Sequence, residues 1–150
     1  MSDSLELAAL LKSLFAAQRF AVLATQSGGQ PYGTLVTFAE TPDLATILFV
    51  TGRNTRKYSD AMGSRKIAMV IDSRTNQESD FRTAVAVTAT GEVEEVSGGE
   101  RDRLADLYLS KHPSLSRFVI NSANALMKMK VAEYVVASFD KVQRYKTDGQ

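Results

Sequence analysis

Short apolar runs separated by clusters of turn-forming residues leave this chain little room for anything but antiparallel strands. Phe20-Ala-Val-Leu-Ala-Thr25 is followed at once by Ser27-Gly28-Gly29-Gln30-Pro31. Tyr32 to Phe38, the turn Thr41-Pro42-Asp43 and the β-branched run Leu44 to Thr51 come next. Parallel neighbours need a helical crossover after most strands, and these connections are too short to hold one. Arg65 to Asp72 extends the pattern, Ser73 to Asp80 reads as a polar loop, and Phe81 to Val96 reads as one long strand. Its lone Gly91 predicts a bulge or a sharp bend. A last strand is predicted over Val131 to Tyr145.

Helical periodicity is confined to the flanks. A first helix starts near Asp3 or Ser4, with Leu5, Ala8, Ala9, Leu11, Leu14 and Phe15 as the stripe that would lie on the barrel as a lid. Another runs from about Thr55 to Ala61 and is stopped at Gly63. Leu104, Leu107 and Tyr108 mark a third, reaching His112-Pro113, and a less regular helical piece runs to about Lys128. The expected fold class is α+β, mainly β: a six-stranded antiparallel Greek-key barrel with flanking helices, residues 1–150 forming one domain.

Composition narrows the function. The 18 basic and 17 acidic residues give a net charge of +1, without the basic footprint of a nucleic-acid binder. There is no cysteine and a single histidine, so thiol chemistry, disulfides and a dense histidine metal site within one subunit are excluded. Mean hydropathy is -0.14, and no apolar stretch approaches the ~20 residues of a membrane span. With acids rather than cations near Met1, the expectation is a cytoplasmic protein.

The segment Gly52-Arg53-Asn54-Thr55-Arg56-Lys57-Tyr58 places three cations around a helix start. Asn54 or Thr55 can cap it. Cations in a first turn oppose the helix dipole, and a phosphate offsets that. Free N–H groups, the positive dipole end and the Arg56 and Lys57 side chains all converge on one dianion. The plainer alternative is a set of solvated basic residues. Alanine at both positions is expected to weaken the anion and leave the fold intact.

In their order and spacing, Phe20–Thr25, Gly29-Gln30-Pro31-Tyr32-Gly33-Thr34, Ile47-Leu48-Phe49-Val50-Thr51 and Thr55-Arg56-Lys57-Tyr58 resemble the pyridoxamine 5′-phosphate oxidase-like family of FMN-binding split barrels. Val87-Thr-Ala-Thr-Gly91-Glu-Val-Glu resembles that family's long fifth strand. The resemblance implies an FMN-dependent oxidoreductase acting on a small molecule. Arg56 and Lys57 would grip the FMN phosphate, Thr51 and Val50 would lie beside the flavin, and Thr34, Leu35 and Val36 would meet the isoalloxazine edge through their backbone. It also implies a homodimer with the flavin at the interface. Tyr32 and Tyr58 would either stack on the flavin or pack in the core or interface.

Two departures set the chain apart from the phosphate oxidases proper. Alanine stands near position 86, where they carry a glutamine, and the end Lys146-Thr-Asp-Gly-Gln150 lacks their arginine-and-histidine tail. Vitamin B6 phosphate oxidation is therefore not expected. A non-catalytic flavin- or haem-binding module, serving as carrier, sensor or haem-utilisation protein, and a deazaflavin-dependent reductase remain alternatives. His112 is either an axial iron ligand or, by the stronger reading, a helix-end residue meeting terminal carbonyls. No metal ligand set and no catalytic residue is assigned. Glu100, Asp102 and Asp106 read as a solvated helix face, and Met127 and Met129 as packing residues.

Overall fold

A computed structural model describes residues 2–147. The chain runs through α1 (Ser2–Ala17), β1 (Phe20–Ser27), β2 (Gln30–Thr37), β3 (Ala39–Glu40), β4 (Thr46–Gly52), α2 (Arg56–Gly63) and β5 (Lys66–Asp72). It continues through α3 (Asp80–Thr83), β6 (Ala86–Glu95), α4 (Gly98–Lys111), a 3₁₀ turn (Pro113–Leu115), α5 (Ser116–Ile120), β7 (Asn124–Ala137) and β8 (Val142–Lys146). The strands form one antiparallel sheet in the order β2-β1-β5-β6-β7-β4-β3, with β8 also paired to β7. The sheet curls until β2 and β4 touch, giving a split barrel with flanking helices.

Among the described residues the sheet has eight strands, not six. Two differences make up the count: Ala39–Glu40 forms a short strand against Leu48 and Ile47, and the expected last strand is a hairpin that turns at residues 138–141. The helical piece expected up to Lys128 is present as the 3₁₀ turn and α5 but stops at Ile120, and Asn124 to Lys128 is instead the first part of β7. There Ala125, Met127 and Met129 point into the barrel while Leu126 packs on the opposite face, under α4 and α5. Apolar side chains on both faces conceal a period of two. Phe81 lies in the short helix α3 rather than in β6, and is 72% exposed. The Asp80 carboxylate takes hydrogen bonds from the Thr75 and Asn76 amides, so local polar bonding shapes this loop against the β-propensity of phenylalanine.

Leu7, Leu11, Leu14 and Phe15 of α1 are buried over the barrel, whereas Leu5 points away. The helix is the expected lid, with its contact face rotated from the expected stripe. Gly91 is the expected irregularity: the β6–β7 register shifts between Thr90 and Gly91. A Cβ at Gly91 would lie 2.1 Å from the Lys130 carbonyl oxygen. No side chain fits there without moving backbone.

The crossing from β4 to β5 positions the site. It carries α2 from the end of β4 to the flank of β1, where Thr25 Oγ1 donates to Asp60 (3.4 Å) and Gln26 Nε2 to Ser64 Oγ (3.2 Å). Gly91→Ala should cost about 2 kcal/mol or more, lowering Tm by about 4 to 8 °C in thermal denaturation. An unchanged Tm would mean that the bend is not set by this contact.

Candidate functional site

β4 ends in the buried Thr51 followed by Gly52, and α2 begins four residues after the glycine. Thr51, 1% exposed, has its Oγ1 3.1 Å from Thr55 Oγ1. Thr55 is the N-cap: its backbone is extended, its hydroxyl accepts from the Tyr58 amide (3.3 Å), and its carbonyl accepts from the Ser59 amide. The Arg56 and Lys57 amides have no acceptor among the described residues. These are the donors that a helix leaves unpaired at its start. Two N–H groups and a positive dipole end therefore meet at the start of α2, with the Arg56 and Lys57 side chains leaving from its first turn, and a phosphate fits that donor set.

The cations differ in their freedom. Arg53 is committed to structure, with Nη1 donating to the Ser122 carbonyl (2.6 Å) and Nη2 paired with Glu95. Tyr58 donates to the other oxygen of the same carboxylate at 2.8 Å. The hydrogen bond from Arg53, and then that from Tyr58, hold Glu95 below its usual carboxylate range, while the bond to Glu95 raises both Arg53 and Tyr58. Arg56 instead stacks on Tyr32, with Cζ 4.1 Å from the ring centroid, and its Nε lies 3.5 Å from Asp60 Oδ2. Lys57 is half-buried and forms no ion pair among the described residues.

The strand residues are arranged by parity. Thr34 is half-buried and Leu35 exposed on β2, whereas Val36 belongs to the barrel core. Val50 is buried in the second cluster, beneath α4 and α5. Val36 and Val50 therefore offer a ligand only their backbone. The structure brings Thr51, Thr55, Arg56 and Tyr32 together around the start of α2. It corrects one expectation there: alanine at Arg56 would strand the buried carboxylate of Asp60, so the double replacement is not neutral to the fold. Lys57→Ala is the clean variant. Tyr58 is spent on Glu95 and core packing, and Tyr32 on Arg56. Glu95 lies 42 residues from Arg53 and carried no local sequence signal.

His112 is the C-cap of α4, but its ring does not meet the terminal carbonyls of that helix. It is 5% exposed, and Nε2 lies 2.7 Å from the carbonyl oxygen of Phe38, at the end of β2. Beside it, Lys111 Nζ donates to the Phe15 carbonyl (2.7 Å) and pairs with Glu40 (2.8 Å) over the Phe38 ring. Burial lowers the Lys111 ammonium, and the bond to Glu40 opposes this. Among the described residues no three metal-ligating side chains cluster. No helix among the described residues is long and apolar enough to cross a membrane. The C-terminal departure falls partly outside the described residues, at 148–150.

An antiparallel split barrel with a helix at the crossing from β4 to β5 defines a fold class, and sequence identifies the family. The chain belongs to the pyridoxamine 5′-phosphate oxidase family, whose pattern matches residues 7–135. Its fold is similar to that of a haem-binding protein from Mycobacterium smegmatis, at 14% identity and TM-score 0.80, covering 94% of this chain and 58% of that one. General Stress Protein 26 from Bacillus anthracis is similar at 14% identity and TM-score 0.71, covering 93% and 98%. A FAD-binding protein from Mesorhizobium loti is similar at 14% identity and TM-score 0.65, covering 91% and 90%. This chain thus spans less than two thirds of the Mycobacterium smegmatis protein. No curated protein matches it in sequence.

The Glu95 pair gives a pH-dependent expectation. A folded pKa below the unfolded value stabilises the protein above the usual carboxylate range, and that contribution is lost as pH falls through the folded pKa. Glu95→Gln should therefore cost about 1 kcal/mol at neutral pH, a value reduced by partial exposure. In urea unfolding the difference should close as pH falls through the lowered Glu95 pKa, below the usual carboxylate range. A gap unchanged by acid would contradict the pairing.

Proposed function

We propose that this chain is an FMN-binding flavoprotein, an oxidoreductase acting on a small molecule, that works as a homodimer with the flavin at the subunit interface. The observation that carries the proposal is the start of α2, where the Arg56 and Lys57 amides have no acceptor among the described residues and follow directly on the Thr51–Thr55 hydroxyl pair. In this reading Arg56 and Lys57 hold the terminal phosphate. Thr51 and the backbone of Val50 border the flavin from β4. Thr34, Leu35 and Val36 present the backbone of β2 to the ring. When bound, the flavin supplies the electron-transfer chemistry, and the protein supplies binding and orientation.

The dimer is supported by an apolar row on the outside of the barrel. Leu35 pairs with Val22, and Val22 with Val70, across β2, β1 and β5. Leu35 is 59% exposed, and nearby Phe20 is 53% exposed. A planar ring lying along β2 and a second subunit would cover such a surface. The haem alternative gains no support from the single histidine, which is buried against the Phe38 carbonyl.

Calorimetric titration with FMN, riboflavin and FAD tests the reading. FMN should bind about tenfold or more tightly than either, since only FMN ends in a phosphate dianion that both cations can reach. Lys57→Ala should reduce that preference with little change in Tm. Light scattering on the flavin-loaded protein should report twice the 16.4 kDa chain mass. Equal affinities for the three flavins would remove the phosphate assignment, and a monomer holding FMN would remove the interface.

A further inference from the structure

The geometry points to Asp60 as the positioning residue of the anion site, holding the Arg56 guanidinium so that its outer edge faces the ligand. The inference rests on the reading of the α2 start as a phosphate site. Asp60 occupies an unfavourable place for a carboxylate. It lies in the C-terminal half of α2, where the dipole disfavours negative charge, and it follows Arg56 by four residues, the weaker order for such a pair. It is also 7% exposed. A buried carboxylate needs partners, and among the described residues Asp60 has two side-chain partners. Thr25 Oγ1 donates to Oδ2 at 3.4 Å, and Arg56 Nε lies 3.5 Å from the same oxygen.

The guanidinium is thereby constrained twice. Its Nε side faces Asp60, and one face lies on Tyr32, while the side chain as a whole stays 53% exposed. Nη1 and Nη2 have no partner among the described residues. An arginine fixed in this way meets a phosphate with two parallel donors and loses little further rotamer freedom on binding. Lys57 lacks such a guide and acts as a point charge.

Charge alone has the opposite sign, which makes the inference decidable. A carboxylate beside an anion site repels the ligand, so a purely electrostatic Asp60 weakens binding and its removal tightens it. Positioning predicts that Asp60→Ala binds FMN and inorganic phosphate about three- to tenfold more weakly, with riboflavin unaffected. Asp60→Asn keeps an acceptor oxygen without the charge, and should restore both affinities to at least those of the unaltered protein. Tighter or unchanged phosphate binding by Asp60→Ala would overturn the inference.

Two further measurements keep the test independent of folding and of the flavin. In the ligand-free protein, nitrogen relaxation at Arg56 Nε should report a guanidinium held on Tyr32 beside Asp60, more mobile in Asp60→Ala and held again in Asp60→Asn. An Arg56 Nε as mobile in the unaltered protein as in Asp60→Ala would refute the role. If Asp60→Ala does not fold, Tyr32→Leu removes the other constraint, and unchanged phosphate affinity there would refute it too. Should the unaltered protein bind no flavin, the proposed function fails, and the Nε relaxation and phosphate results still decide the role of Asp60.

Discussion

Everything in this barrel hangs on one strand that is bonded along both edges. β7 pairs with β6 over most of its length, while its other edge takes β4 near the start and β8 near the end. A strand shared in this way must bend where its partners diverge, and the register shift at Gly91 provides the bend. The closeness of Gly91 to the Lys130 carbonyl leaves no space for a side chain. Backbone hydrogen bonding along β7 thus fixes where β4 ends, and so where α2 can begin.

From that point the site follows by short-range chemistry. A buried threonine, a capping threonine and a helix start whose first amides have no internal acceptor create a demand for negative charge. Arg53 does not meet that demand, because Glu95 and the Ser122 carbonyl already hold it. Arg56, stacked on Tyr32 and near Asp60, and Lys57, which forms no ion pair among the described residues, leave from the first turn. In the proposed reading, this difference between Arg53 and the pair separates a ligand site from a run of solvated basic residues.

How far the sequence disclosed this depended on the range of the interactions. β1, β2 and β5 were legible as short runs set off by turn residues, and the Gly28-Gly29 turn adopts the left-handed conformation its glycines allow. The cap and the basic pair were legible because a helix start is a local object. Asn124 to Lys128 was not, since Leu126 owes its burial to α4 and α5. The roles of Asp60 and Arg53 were also hidden. They depend on Thr25 and Glu95, which topology brings near and sequence separation conceals. His112 was placed correctly at a helix end, but its partner, Phe38, lies 74 residues away.

The central claim is that the start of α2 is built for a terminal phosphate. A crystal structure of the protein soaked with FMN tests it most directly. The account predicts the phosphate within hydrogen-bond distance of the Arg56 and Lys57 amides, with the Arg56 guanidinium still stacked on Tyr32. Flavin bound with its phosphate elsewhere, and these amides left to solvent, would contradict it.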